Sequence, residues 1–342
     1  MMGKKQLLAA GLGLAILTFS LLSPCVEAAV LSGGEQAALQ QKKARVTAAS
    51  SKKKATVKRV SRRSVRQSRP SQATLAGLRD TPDPLFLNSS VAFAIDQDTG
   101  EELFSKNADI ELPIASVTKL MTALVMAESG LDMKKKIRIT REDYLRSTAY
   151  SKLRNGMVLS RETALKAALM SSDNRAASAL ARSYPGGKKA FVKKMNETAV
   201  SLGMTESYFA DPAGLDNGNR ATARDLSKLV AAAHEFKMIR DASTLPAARL
   251  QAGRYALSMH TTNRLIGNPE WQIGLQKTGY TTAAGRCMVV QSEFADRRVV
   301  MVVLDSPNSS TRAQDMQTMR RYVEEEEGFR AGFSEMKPYE IF

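Results

Sequence analysis

The sequence predicts an α/β protein of the α+β type, in which an antiparallel five-stranded sheet is flanked by helices and carries an inserted, mostly helical subdomain. Two strand-like runs near residue 90 precede a block of helical segments, and three further strand-like runs and a last helix follow. Strands at the two ends of such a domain form one sheet when the ends meet. With 342 residues and 43% hydrophobic content, the chain can bury the core that this fold requires.

The first two strands are predicted to form a hairpin. Residues 88–95 (NSSVAFAI) and 101–105 are strand-like, and Asp98, Thr99 and Gly100 between them are typical turn residues. The remaining predicted elements are helices at about residues 162–182, 187–202 and 222–235, strands at residues 271–278, 286–294 and 299–305, and a last helix from about Thr311.

Residues 111–130 (ELPIASVTKLMTALVMAESG) predict a buried helix that carries a candidate nucleophile. Ser116 and Lys119 are three residues apart, so both side chains lie on one helix face, with the hydroxyl near the helix N-terminus. A serine nucleophile needs a base, and the nearest one here is an amine. The pattern Ser-x-x-Lys also occurs elsewhere in the chain, and a capping serine with an outward-facing lysine would produce it too.

Two further motifs favour the catalytic interpretation. Ser-Asp-Asn at residues 172–174 interrupts the helical block, and Lys-Thr-Gly at residues 277–279 ends the first late strand. The order Ser-x-x-Lys, Ser-Asp-Asn, Lys-Thr-Gly, with the last motif on a strand, is the signature of penicillin-binding proteins and serine β-lactamases. Each motif is common by chance, whereas the ordered set in these structural contexts is specific.

The resemblance extends over about residues 84–322. SVTKLMTALV, LMSSDNRAASALARSYPGG, DPAGLDNGNRATARDL and GLQKTGYTTAAGRC are similar to stretches of the low-molecular-mass D-alanyl-D-alanine peptidases, which share the β-lactamase-like fold, and most similar to the endopeptidases among them. This resemblance implies a serine D-alanyl-D-alanine endopeptidase that hydrolyses D-Ala-diaminopimelate cross-links of peptidoglycan and is inhibited by β-lactams. A D-alanyl-D-alanine carboxypeptidase is the alternative, because the motifs are common to both.

The resemblance also implies a role for each matched residue. Ser116 would attack the substrate carbonyl, Lys119 would take its proton, and Ser172 would pass a proton to the leaving amine. The backbone N–H groups of Ser116 and Tyr280 would form the oxyanion hole. Arg312 would bind a substrate carboxylate, although a surface arginine at a helix start would look the same. The residues expected to bind substrate are Asn174, Lys277, Thr278, Gly279, Tyr280 and Arg312.

Lys119 can act as a base only when its amine is neutral. We expect burial and the nearby positive charge of Lys277 to lower the pKa of Lys119 together, because both disfavour the protonated form.

Two other functions are compatible with parts of this pattern. A β-lactamase of this scaffold relies on a Glu-x-x-Leu-Asn loop to hydrolyse the acyl-enzyme, and residues 212–216 (PAGLD) contain no such glutamate. A non-catalytic wall-binding protein would have no reason to keep all three motifs together.

The N-terminus predicts export to the periplasm. Lys4 and Lys5 precede an apolar run over residues 7–22, and cleavage is expected after Ala28, so that residues 1–28 form a signal peptide. An uncleaved membrane anchor is the alternative.

Residues 29–79 predict a basic disordered tether. The formal net charge of the chain is +16, and residues 41–70 contain twelve Lys and Arg and no Asp or Glu. An exported chain meets no nucleic acid, so we expect either electrostatic contact with an anionic wall or membrane surface, or a spacer whose charge keeps it extended. The catalytic domain is then residues 80–322, followed by a tail at residues 323–342.

No cofactor or metal is expected. The only histidines, His234 and His260, lack ligand-spaced partners, and Cys287 is the sole cysteine left once residues 1–28 are removed. The fold must therefore depend on its core, without an internal disulfide.

Overall fold

The computed structural model describes residues 69–335 apart from residues 146 and 148, with side chains described as far as residue 326. The predicted signal peptide (residues 1–28), residues 29–68 of the predicted tether and residues 336–342 of the predicted tail lie outside the described residues. Within the described range, no helix has the length and apolar character needed to cross a membrane. The same range contains no group of three or more His, Cys, Asp and Glu side chains that could hold a metal ion.

The order of helices and strands follows the sequence pattern closely, with several short elements added. The α-helices are α1 (Gln72–Leu75), α2 (Lys119–Glu128), α3 (Arg161–Met170), α4 (Asn174–Arg182), α5 (Gly187–Ser201), α6 (Ala223–His234), α7 (Lys237–Thr244) and α8 (Ser309–Glu335). The strands are β1 (Val91–Asp96), β2 (Glu102–Lys106), β3 (Leu112–Pro113), β4 (Lys136–Arg138), β5 (Val158–Ser160), β6 (Arg220–Ala221), β7 (Ala247–Ala252), β8 (Tyr255–His260), β9 (Gln272–Thr281), β10 (Gly285–Phe294) and β11 (Arg297–Ser306).

The main sheet contains five antiparallel strands in the order β2-β1-β11-β10-β9. The early hairpin joins the three late strands where β1 pairs with β11, with Val91 opposite Leu304. The helices between β2 and β9 form the inserted part. The predicted α+β fold with a five-stranded antiparallel sheet is therefore confirmed.

The central strand β11 divides the hydrophobic core in two, because alternate residues of a strand face opposite sides of the sheet. Val300, Val302 and Leu304 face the larger core, which contains α2 and most of the helices. Val299, Met301 and Val303 face a smaller core under α8. A strand buried on both faces reads as a continuous apolar run, which is why β11 was easy to predict.

The structure differs from the prediction at the interrupted helix. Residues 162–182 form two helices, α3 and α4, separated by residues 171–173. Ser172 has φ of 57°, a left-handed conformation that a helix cannot contain, and Asp173 starts α4 as its N-cap by accepting a hydrogen bond from the Ala176 N–H at 3.0 Å. The break places the Ser-Asp-Asn motif between α3 and α4, where its last residue begins α4.

The predicted tether also ends earlier than its expected boundary at residue 79. Helix α1 is held by the Gln72 N–H, which donates to the Ala283 carbonyl at 2.9 Å, and its Ala73 is buried in the larger core. Ser71 caps this helix through the Thr74 N–H. Four residues (QATL) are too few to show an apolar period, so the sequence alone does not distinguish this segment from the chain before it.

Candidate active site

Ser116 lies at the start of the predicted buried helix, in the 3-10 helix Ala115–Thr118 that leads into α2. Ala115 has φ of 47°, a left-handed conformation that costs a non-glycine residue about 1 kcal/mol or more. This turn brings the Lys119 Nζ to 2.7 Å from the Ser116 Oγ. The hydroxyl and the amine are therefore already within proton-transfer distance.

Lys119 is fully buried and makes two more hydrogen bonds. Its Nζ lies 2.7 Å from the Asn174 Oδ1 and 2.6 Å from the Ala213 carbonyl oxygen. The Ser116 hydroxyl can also donate to the Ala213 carbonyl, at 3.4 Å. These contacts fix the amine beside the serine, and they place Asn174 of the second motif in direct contact with the first.

Lys277 brings the third motif to the same place from β9. Its Nζ is fully buried, donates to the Ser172 Oγ at 3.0 Å and also contacts the Thr278 carbonyl at 2.7 Å. The Thr278 hydroxyl shares a 2.6 Å hydrogen bond with the Thr262 hydroxyl. All three motifs thus meet around one cleft.

Position 279 requires glycine because β9 passes very close to the backbone at Ser116. A Cβ on Gly279 would lie 3.0 Å from the Ser116 backbone nitrogen and 2.9 Å from the Ile114 carbonyl oxygen, closer than side chains tolerate. Tyr280, the next residue, is half exposed, and the guanidinium of Arg286 lies over its ring at 4.2 Å. The strand edge is therefore open to an extended ligand beside Ser116.

The cleft has a volume of about 560 Å³, within the range of small-ligand sites. Arg312 lines it and is 5% exposed, so it is not the surface arginine of the alternative interpretation. Its Nη1 donates to the Cys287 carbonyl at 3.2 Å, whereas its Nε is buried without a hydrogen-bond partner. Burial lowers the pKa of Arg312 to about 10, which leaves it charged at neutral pH. A ligand carboxylate would compensate this charge.

Burial lowers the pKa of Lys119 from 10.5 to about 7, against the opposing effect of the Asp211 and Asp173 carboxylates. The predicted contribution of Lys277 to this shift depends on whether its own amine is charged. Burial also lowers the pKa of Lys277 well below its usual value, and the charges of Lys119 and Arg312 lower it further. Each ammonium disfavours the other, and because the two carboxylates favour the proton on Lys119, Lys277 is the amine that loses its proton first.

Asp173 has a structural place in the site. Besides capping α4, its carboxylate accepts the Ser151 hydroxyl at 2.7 Å. Burial raises the pKa of this carboxyl group. Asp173 therefore holds the loop before the cleft, whereas Ser172 and Asn174 on either side of it contact the two lysines.

The loop at residues 211–219 is the part of the site that sequence reasoning missed. The Asp211 carboxylate accepts hydrogen bonds from a run of successive backbone N–H groups, and this holds the Ala213 carbonyl against Ser116 and Lys119. Gly214 has φ of 78°, and a Cβ there would lie 1.9 Å from the Ala115 carbonyl oxygen. The N–H donors are those of Ala213 at 2.5 Å, Gly214 at 2.8 Å, Leu215 at 3.0 Å and Asp216 at 2.6 Å.

The signal for this loop was present in the sequence. Aspartate followed by proline and glycine is typical of a turn in which the carboxylate accepts nearby N–H groups. Its contact with Ser116, 97 residues away, could not be read from that pattern.

Solved structures of similar proteins share this architecture. The Streptomyces K15 DD-transpeptidase superposes with a TM-score of 0.64 at 26% identity, covering 69% of this chain and 97% of that chain. Penicillin-binding protein D2 of Listeria monocytogenes, in its cefotaxime-bound form, superposes with a TM-score of 0.63 at 27% identity, covering 71% of this chain and 99% of that chain.

Sequence comparison identifies the family. A D-alanyl-D-alanine endopeptidase of Pseudomonas aeruginosa is 42% identical over 242 residues, which cover 70% of this chain and 78% of that relative. The Escherichia coli K12 D-alanyl-D-alanine endopeptidase is 40% identical over 240 residues, covering 69% and 77%, and a Bacillus subtilis D-alanyl-D-alanine carboxypeptidase is 29% identical over 227 residues, covering 65% and 58%. A family profile described as D-alanyl-D-alanine carboxypeptidase, peptidase S11, matches residues 79–308. The chain therefore belongs to the D-alanyl-D-alanine carboxypeptidase family, peptidase S11.

Proposed function

We propose that this chain is a serine D-alanyl-D-alanine endopeptidase that hydrolyses D-Ala-diaminopimelate cross-links of peptidoglycan through an acyl-enzyme on Ser116. The observation that carries the proposal is the 2.7 Å contact between the Ser116 hydroxyl and the buried amine of Lys119. Burial lowers the pKa of that amine to about 7, so about half of it is a free base at neutral pH.

Acylation begins when the Ser116 Oγ attacks the carbonyl carbon of the penultimate D-Ala and its proton passes to the Lys119 Nζ. The carbonyl π electrons move to the oxygen, which the backbone N–H groups of Ser116 and Tyr280 would stabilise. The close approach of β9 at Gly279 supports this pairing, because it brings residue 280 beside the nucleophile.

Collapse of the tetrahedral intermediate breaks the amide bond of the cross-link and expels the diaminopimelate amine. This nitrogen needs a proton, and Ser172 is the proposed relay: its hydroxyl donates to the amine and accepts the proton that Lys119 had taken from Ser116. The 3.0 Å hydrogen bond from Lys277 holds the Ser172 Oγ in the cleft. Asn174, which contacts Lys119 at 2.7 Å, is positioned to contact the substrate backbone as well.

Deacylation repeats the chemistry with water as the nucleophile. Water attacks the ester carbon, Lys119 takes its proton, and the same proton returns to the Ser116 Oγ as the acid leaves. The loop that could have carried a deacylating glutamate instead presents the Ala213 carbonyl to both catalytic side chains. A carbonyl oxygen cannot remove a proton from water, so this loop supplies no second base and deacylation depends on Lys119 alone. We therefore expect the ester that a β-lactam forms on Ser116 to be hydrolysed more slowly than in an enzyme whose loop carries the glutamate.

Endopeptidase activity is favoured over carboxypeptidase activity by the relatives. Those named as endopeptidases share 42% and 40% of their residues with this chain over the aligned region, against 29% for the carboxypeptidase of Bacillus subtilis. Arg312 would bind a carboxylate next to the scissile bond in either substrate, so it does not separate the two reactions.

Two measurements test this function. Ser116→Ala should abolish covalent labelling by a fluorescent penicillin without lowering the melting temperature, and labelling that persists would overturn the nucleophile assignment. Incubation of the unsubstituted protein with dimeric muropeptides and with free pentapeptides should convert dimers to monomers faster than it removes terminal D-Ala. The opposite order would identify a carboxypeptidase.

The predicted location and tether remain part of this proposal. The substrate lies outside the cytoplasmic membrane, in agreement with the predicted export signal at residues 1–28 and a periplasmic enzyme. Twelve Lys and Arg in residues 41–70 would attract an anionic wall or membrane surface. A truncated protein starting at residue 69 should bind isolated cell walls more weakly at low salt, and unchanged binding would identify a spacer.

A further inference from the structure

A second concave surface adjoins the catalytic cleft. This groove has a volume of about 730 Å³ and lies between the loop leading to β5 and the turn of the β7–β8 hairpin. Tyr150 lines both the groove and the cleft, and Ser151 in the cleft is followed directly by Lys152 in the groove. A chain that leaves the cleft past Tyr150 therefore enters the groove.

Three cations line the groove, and none of them forms an ion pair with a residue that the structure describes. Arg154 is exposed, and its guanidinium has no hydrogen-bond or ion-pair partner among the described residues. Within the described part of the chain, Arg254 donates only to the Tyr255 hydroxyl, at 3.0 Å, and Lys152 donates only to the Ser258 carbonyl. No Asp or Glu is among the described residues that line this surface. Most of the donors of these three side chains are therefore available to an anionic ligand.

Two exposed tyrosines complete the groove. Tyr150 is 80% exposed and Tyr255 is 44% exposed, and the guanidinium of Arg254 lies over the Tyr255 ring at 5.2 Å. Large aromatic side chains exposed beside unpaired arginines are typical of recognition surfaces, because both supply contact area and Arg recognises carboxylates bidentately. Met157, Leu257 and Ala252 supply an apolar floor.

We propose that this groove binds the carboxylate-bearing stem peptide of the peptidoglycan strand next to the cross-link held in the cleft. The inference rests on the proposed function for the identity of the ligand. Cross-linked stem peptides are longer than a 560 Å³ cleft can hold, and they carry free carboxylates of glutamate and diaminopimelate along their length. The continuity through Tyr150 and the absence of acidic lining residues fit such a ligand, and the groove would favour cross-linked substrates over short peptides.

The test measures binding rather than turnover. Dimeric muropeptides, and the same dimers with amidated carboxyl groups, are titrated calorimetrically into three proteins at low salt. These are Ser116→Ala alone, Ser116→Ala with Arg154→Gln and Arg254→Gln, and Ser116→Ala with Lys189→Gln and Arg321→Gln. The last pair removes the same charge from exposed side chains of α5 and α8, which do not line the groove.

We expect the groove variant to bind the dimer about fivefold more weakly, as two partly exposed ion pairs allow, and the control variant to bind as the parent does. Amidation should weaken binding by the parent more than binding by the groove variant, in which only the carboxylate contact of Arg312 is left to lose, and the difference should shrink at high salt. Equal affinities of the groove and control variants, or an equal loss for the amidated dimer in all three proteins, would overturn the proposal.

Two controls separate the binding of a stem peptide in the groove from the proposed catalytic function and from membrane binding. Substitution of Arg154 and Arg254 in the protein that retains Ser116 should leave penicillin labelling and the melting temperature unchanged, since neither residue lies in the cleft. If the unsubstituted protein is not labelled, the proposed function fails while the binding comparison remains readable. If the groove variant loses binding to anionic lipid vesicles but not to dimers, the groove is a membrane-binding surface and the proposal is wrong.

Discussion

The pH dependence of acylation tests the physical basis of the active site. Burial lowers the pKa of Lys119 from 10.5 to about 7, and only the neutral amine can accept the proton of Ser116. At pH 7 an ordinary lysine would be neutral in about one molecule in 3,000, whereas a group of pKa about 7 is neutral in about half. The buried position therefore increases the concentration of free base about a thousandfold.

The direction in which the acylation rate changes with pH follows from the fact that the base is the amine of Lys119. Protonation removes the base, so the rate of acylation must fall as the pH falls below the pKa. We expect about half of the plateau rate at pH 7, about a tenth at pH 6 and about a hundredth at pH 5, with a plateau above pH 8.

The assay is the second-order rate of labelling by a fluorescent penicillin between pH 5 and pH 9 at constant ionic strength, quantified on denaturing gels. Labelling isolates acylation, because deacylation is not needed for the signal. Lys119→Arg is the matched control: it keeps a cation that cannot deprotonate, so labelling should fall to background at every pH. A flat profile, or a bend above pH 9, would refute the argument that burial supplies a neutral base.

Three further substitutions test other parts of the site. Lys277→Gln should reduce the labelling rate but leave the bend of the pH profile, which reports the pKa of Lys119, near pH 7. A bend shifted upward by one pH unit or more would mean that the charge of Lys277 sets the pKa of Lys119. Gly214→Ala should place a Cβ against the Ala115 carbonyl oxygen, so we expect it to slow labelling and to lower the free energy of unfolding by about 2 kcal/mol or more in urea titrations. A variant with unchanged stability and labelling rate would contradict this geometry. Arg312→Gln should raise the KM for the cross-linked peptide about tenfold or more with a smaller effect on kcat, because a charged hydrogen bond to the substrate is lost. An unchanged KM would exclude carboxylate binding by Arg312.

The sequence predicted the sheet and the three motifs because both depend on local patterns. β11 is a continuous apolar run, and β9 carries the Lys-Thr-Gly motif in its second half, so each could be located without knowing its neighbours. The ordered motifs then implied that Ser116 and Lys277 would meet, and the structure places Ser116 in the cleft and Lys277 against Ser172, which lines the same cleft. Their catalytic roles stay predictions until the labelling experiments are done.

The remaining features depend on contacts between distant parts of the chain. The β7–β8 hairpin has only three buried residues along its two strands, so its alternation was too weak to predict. Ser116 was expected near the first turn of the predicted helix, and the structure places it in a 3-10 helix whose left-handed Ala115 is held against Gly214 from another loop. Neither the helix propensity of these residues nor the spacing of their apolar positions indicates a contact with a distant loop.

The Asp211 loop also explains how the fold retains a buried base. Lys119 is fully buried, and a protonated lysine in that position would be strongly destabilising without polar partners. The Ala213 carbonyl and the Asn174 amide oxygen accept its hydrogens, and the Asp211 carboxylate that holds the loop also favours the charged amine.

Between pH 7 and about 10 the unfolded chain binds more protons at Lys119 than the folded chain does. The contribution of Lys119 to stability therefore rises with pH in that range and is lowest below pH 7. A more hydrophobic surrounding would lower the pKa further but would leave the acyl-enzyme without an acid to return its proton. The arrangement of burial against two carboxylates therefore keeps Lys119 able to work in both directions at neutral pH.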